Sequence, residues 1–179
     1  MNRTLALSIT MSLVAVNGWA ADSDSKSPRV STQLRSEHEI PAVSSPARGT
    51  FKASIDAQGT SINYELTFDG LQALITMAHI HMAQPFANGA IVVWLCGTPG
   101  TNTMGPTGTQ TCPESGTVTG TILPEHIQTV PAQGIATGEF EELVAAIRRG
   151  LTYVNVHTVQ SPAGEIRGQL GRRGHDDHD

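Results

Sequence analysis

Two short stretches carry residue types that could do chemistry: Ala78-His79-Ile80-His81 and Asn155-Val156-His157-Thr158. On a β-strand successive side chains alternate between faces, so His79 and His81 point the same way, as do Asn155 and His157. Three imidazoles meeting on one face of a sheet make a half-built transition-metal site. Imidazole nitrogen suits copper and zinc, and the H-x-H spacing lets two ligands leave one rigid strand. The alternative for each histidine is a hydrogen-bonded structural residue, since H-x-H by itself is a common spacing. Met77 and Met82 flank the pair and offer soft thioethers, with packing as the competing role. Asn155 lies on the His157 face and could orient an imidazole through its second nitrogen.

Alternation must supply the strands that position these groups. Residues 50–56 place Phe51, Ala53 and Ile55 on one face, and Ile62, Tyr64, Leu66 and Phe68 alternate with Asn63, Glu65 and Thr67. Residues 74–82 carry H-I-H, 90–95 read as a more fully buried strand, and 116–122 as a weaker one. The last two strands are expected at 151–158 and 165–170. One helix stands out at 139–149, where Phe140, Leu143, Val144 and Ile147 share an apolar face. Acidic residues lie at its start, Arg148 and Arg149 at its end, and Gly150 follows as a stop. Pro124 to Ile127 reads as a single helical turn. About eight short strands, with the helix before the last two, predict an all-β, immunoglobulin-like or Greek-key β-sandwich.

Composition bounds the rest. Of 179 residues, the first 20 have a basic start, an apolar run from Leu5 to Val16, and the small residues Gly18 and Ala20 three and one before a cut after Ala20. That is the pattern of a cleaved export signal, so the chain is expected to be secreted or periplasmic. The apolar run is too short for a membrane span, and no transmembrane segment is expected. Cleavage would remove one of the 11 basic residues, Arg3, and leave 10 against 16 acidic ones. With no basic cluster beyond Arg148-Arg149 and Arg172-Arg173, nucleic acid is disfavoured as a partner. Cys96 and Cys112 read as a disulfide closing a Gly-, Thr- and Pro-rich loop. Residues 21–30 are polar and expected to lack structure. The domain is placed at 31–170, and 171–179 form a polar tail whose His175 and His178 lie beside Asp residues. No G-x-S-x-G and no phosphate-cradling loop is present.

Four pieces in order resemble the chordin (CHRD) domain: Glu39-Ile40-Pro41-Ala42-Val43; Gly70-Leu71 leading into A-H-I-H; N-G-A-I-V-V-W-L at 88–95; and Y-V-N-V-H-T followed by P-A-G-E-I-R-G-Q-L within 153–170. The resemblance covers about 31–170. It implies a β-rich, secreted domain of immunoglobulin-like type. A binding or structural module is the expected role, and recognition of an extracellular protein or polysaccharide would fall to its exposed loops. The chain departs from the family pattern at 82–86 and in the Cys96–Cys112 loop. A weaker resemblance is to the copper half of Cu,Zn superoxide dismutases. It implies His79, His81 and His157 as ligands of copper, or of zinc in a simpler mononuclear site, and Arg167 as an anion guide for redox chemistry. The zinc half has no counterpart, because His126 is the one other histidine between His81 and His157. Glu165 and Arg167, two residues apart on one face, also admit an ion pair or a hydrogen-bonded anchor for the sheet end.

Overall fold

Alternation becomes strand where the sequence alternates most cleanly. The computed structural model describes residues 29–98 and 105–171, and their eight strands are β1 (Arg29–Arg35), β2 (Arg48–Ile55), β3 (Ile62–Asp69), β4 (Ile75–Met82), β5 (Ala90–Gly97), β6 (Gly116–Ile122), β7 (Thr152–Thr158) and β8 (Ile166–Leu170). Among the described residues a single α-helix, α1 (Phe140–Arg148), precedes the last two strands. Its buried face is Phe140, Leu143, Val144 and Ile147, as the periodicity predicts, and Gly150 ends it in the left-handed region at φ 73°. The expected export signal and polar tail lie outside the described residues.

The strands form one antiparallel sheet in the order β5-β4-β7-β8-β1-β2-β3-β6. Its two ends come together, so the sheet is nearly a barrel. Tyr64 Oη donates to the Leu95 carbonyl at 3.1 Å, and Gln128 N donates to Val92 O at 2.9 Å. Gln110 Nε2 lies 3.0 Å from Leu95 O on β5 and 3.1 Å from Thr119 O on β6. A side-chain amide thus spans the seam where a backbone ladder is missing, and satisfies carbonyls that an open edge would leave unpaired. Gly120 is required there, because a Cβ would stand 2.7–2.9 Å from the Tyr64 ring and hydroxyl. Around the barrel the order is 1-2-3-6-5-4-7-8. The β3–β4 connection therefore jumps two strands, as in a Greek key.

One core fills the interior. Phe51, Leu66, Leu34, Ile80, Val154, Val156 and Ile166 are all buried in it, with the apolar face of α1 joined on. The Cys96–Cys112 disulfide is formed, with Cα atoms 5.0 Å apart. β1 was not expected. It begins at Arg29, inside the segment read as unstructured. In this strand Val30 and Leu34, four residues apart, are the buried positions, so no clean alternation marks it. Pairing with β2 over all seven of its residues holds it in place.

Candidate metal centre

Register brings the histidines together. In the β4–β7 ladder His79 stands opposite Asn155, Met77 opposite His157, and His81 opposite Tyr153. The intervening Ala78, Ile80, Val154 and Val156 all point into the core. By alternation the three histidines therefore lie on the outer face of the barrel. They are nevertheless buried, with His79 0 %, His81 8 % and His157 5 % exposed. Three connections cover them: 36–47 between β1 and β2, 83–89 between β4 and β5, and 159–165 between β7 and β8. The cover is stitched together by hydrogen bonds. Asn88 Nδ2 donates to Ile40 O at 3.1 Å, and Arg167 donates to Asn88 Oδ1 at 2.9 Å and Ala87 O at 2.6 Å.

Two loop carbonyls set the state of two imidazoles. His81 Nδ1 lies 2.9 Å from Gly89 O, and His157 Nδ1 lies 3.0 Å from Pro162 O. A carbonyl only accepts, so each Nδ1 carries the proton and each Nε2 of the neutral ring keeps its lone pair. His157 Nε2 is 3.2 Å from His79 Nδ1 and 2.9 Å from Asn155 Oδ1. His81 Nε2 and His79 Nε2 are buried without a hydrogen-bond partner. One nitrogen from each of the three rings lies within 4.8 Å of the others. Bonds of about 2.0–2.1 Å at tetrahedral angles put donors about 3.3–3.4 Å apart, so the rings would have to draw in by more than about 1 Å at the widest pair to share one metal. The donor set fits copper or zinc: three neutral imidazoles, two of them oriented by carbonyl acceptors behind the ring.

Electrostatics keeps these rings neutral. Burial, followed by the proximity of His157 and His81, pushes His79 down to about 2. Burial also lowers His157, to about 4, against the pull of the Pro162 carbonyl. His81 is lowered by burial, with the Gly89 carbonyl and the Asn155 side chain acting the other way. Neutral imidazole is the form that ligates a metal. Burial drives the Glu39 carboxyl up to about 7, opposed by the Arg167 guanidinium and by Asn155.

Aromatic rings pack around the cluster. Trp94 meets His79 edge-on with centroids 4.1 Å apart, and Tyr153 stacks on His81 at 4.7 Å. The Arg167 guanidinium lies 3.4 Å above the other side of the Tyr153 ring. Arg167 is 2 % exposed and its guanidinium is shared between that ring and the 83–89 loop. The ion pair considered between Glu165 and Arg167 is not formed. Among the described residues the ion pairs are Arg35–Glu37 and Lys52–Glu65, both on the surface. Glu165 instead accepts from Ser45 Oγ at 2.6 Å, Gln72 N at 2.9 Å and Thr158 Oγ1 at 2.8 Å, tying the cover to β7.

The second nitrogen of His157 faces Pro162 O, and the Asn155 amide lies against the rings on their other side. Residues i and i+2 lie side by side on a strand, which brings the amide to the inward Nε2. Met77 and Met82 are half-buried, and Met82 packs against the core. His38 and His126 are exposed and stand apart from the cluster. His175 and His178 lie outside the described residues. Among the described residues His79, His81 and His157 are the one converging group of three or more metal-ligating side chains of the His, Cys, Asp and Glu types. The residues that sequence reasoning missed are the ring-orienting Gly89 and Pro162 carbonyls. Any residue type could supply a carbonyl, so no side chain announces them.

A barrel of Greek-key connectivity with a buried polar cluster on its outer face defines the class. The comparison with protein families is specific: the CHRD domain matches residues 30–170, and the chain belongs to that family. Searches among curated proteins and among solved structures returned no match. The four motif pieces fall on the cover segment after β1, on β4, on the 83–89 loop with β5, and on β7 with β8. These are the parts that carry the histidine cluster and much of its roof.

Proposed function

We propose that this CHRD domain is an exported binding or structural module that holds one divalent metal ion, zinc or copper, on His79, His81 and His157. The observation that carries the reading is the convergence of three buried imidazole nitrogens within 4.8 Å, two with their lone pairs turned inward by loop carbonyls. The buried Nε2 of His81, without a hydrogen-bond partner, is costly in a folded protein, and a cation is a partner that would repay the cost. The disulfide and the signal-like first 20 residues support a secreted or periplasmic setting. Arg167 serves this module by clamping the 83–89 loop over the site. A dismutase-like reaction would need that guanidinium turned toward an incoming anion. The module's outward task would be contact with an extracellular protein or polysaccharide through its loops.

Metal analysis tests the proposal. After exposure to one equivalent of Zn2+ or Cu2+ and desalting, the protein should retain close to one ion per chain. The His79→Ala/His81→Ala variant should retain less than about a tenth of that, since a single imidazole ligates weakly. Equal retention by the two proteins would remove the site.

A further inference from the structure

The amide oxygen of Asn155 occupies a place that hydrogen bonding alone explains poorly. His157 gives its ring proton to Pro162 O, so its Nε2 is an acceptor, yet Asn155 Oδ1 faces that nitrogen at 2.9 Å. Two acceptors therefore face each other in a buried spot, with His79 Nδ1 3.2 Å from the same nitrogen. Asn155 itself is 2 % exposed and sits directly across the ladder from His79. The amide nitrogen lies beside the Glu39 carboxyl next to Gly164, where any Cβ would collide with Glu39 and stand 2.8 Å from Asn155 Nδ2. The nitrogen side of the amide, which counts among the groups that lower Glu39, thus faces the carboxyl, and the oxygen side faces the histidines.

We infer that Asn155 Oδ1 is the fourth ligand of the metal, closing an N3O sphere built wholly from protein. This inference rests on the three-histidine reading. Donors bonded at about 2.0–2.1 Å and meeting at about 90–110° stand about 2.9–3.4 Å apart, the range of both contacts to His157 Nε2. A fourth protein donor removes the open position that a catalytic metal keeps for water or substrate. A hard amide oxygen beside three imidazoles suits Zn2+ or Cu2+ and disfavours Cu(I), which prefers soft sulfur. The site is thereby a closed, structural or carrying centre, and the role of Asn155 is ligation as well as packing.

Cobalt makes the closure visible in the full chain. Loaded with one equivalent of Co2+, the wild-type protein should show a visible spectrum that excess azide leaves unchanged. Asn155→Ala should still bind cobalt through its histidines, with affinity for Zn2+ lowered roughly 10- to 100-fold, and azide should alter its spectrum. Asn155→Asp, which keeps an oxygen in place, should resist azide as the wild type does. An azide-sensitive wild type would overturn the inference whether or not the variants fold. So would an Asn155→Ala protein with unchanged spectrum and affinity. A wild type that takes up neither cobalt nor zinc would instead sink the three-histidine reading beneath it.

Discussion

At the scale of single residues, the carbonyls of Gly89 and Pro162 decide what the histidines can do. Each takes one ring proton, and burial then denies the rings a second, so three imidazoles stay neutral in water where exposed ones would begin to charge. A pH dependence follows with a definite sign. Below about 6.5, histidines of the unfolded chain take up protons that the folded metal-free protein refuses until about 4 at His157 and about 2 at His79. The unfolded state then binds more protons, so stability falls as pH drops from 6.5 toward 4. Glu39 opposes this between 4.5 and about 7, since the folded form holds a proton that the unfolded chain has lost. Three groups outweigh one. Thermal melts of the metal-free protein should drop steadily below pH 6.5, and His157→Gln should flatten the slope; a melting temperature constant from pH 7 to 4.5 would contradict it. Arg167 gives a second test. Arg167→Leu removes two hydrogen bonds from a charged donor and a stacked cation, so urea melts should show a loss of about 2–4 kcal/mol. The H-x-H spacing and the N-x-H pairing were readable as face-sharing from strand periodicity alone. The ring-orienting carbonyls were not, because they depend on where loops fall in space.

At the scale of elements, β7 shows why a polar strand face can mislead. Its alternation of Tyr153, Asn155 and His157 with Val154 and Val156 reads as one wet face and one dry face, yet all seven residues from Thr152 to Thr158 are buried. Loops roof the outer face, and Glu165 and Arg167 on the neighbouring segment are spent on fastening that roof. α1 and β3 were legible because their periodicity or alternation follows a single core. β1 was not, because its stability comes from pairing with β2 and its apolar positions are sparse. The disulfide belongs to this scale too. It joins the end of β5 to residue 112 across a separation of 16, worth about 3 kcal/mol on the chain-entropy model. Reduction, or Cys96→Ala/Cys112→Ala, should lower denaturant stability by roughly that amount while leaving metal retention intact. Metal loss on reduction alone would show that the bridge shapes the site.

At the scale of the whole molecule, a nearly closed barrel gives the cluster a rigid back wall, and three connections give it a roof. The Greek-key order is what allows this. It sets the β4–β5 and β7–β8 hairpins side by side through the β4–β7 ladder and brings β1 against β8, so the 36–47 connection reaches the same face. Alternation pointed to an all-β fold and the motif pieces to the family, but the burial of the histidines emerges only once strands far apart in sequence have paired. The claim that unites these scales is that three imidazoles share one ion. X-ray absorption on the protein loaded with one equivalent of zinc measures that directly. Three imidazole nitrogens at about 2.0–2.1 Å, with the outer-shell scattering of the rings, is the predicted result. A first shell holding one imidazole or none would contradict it.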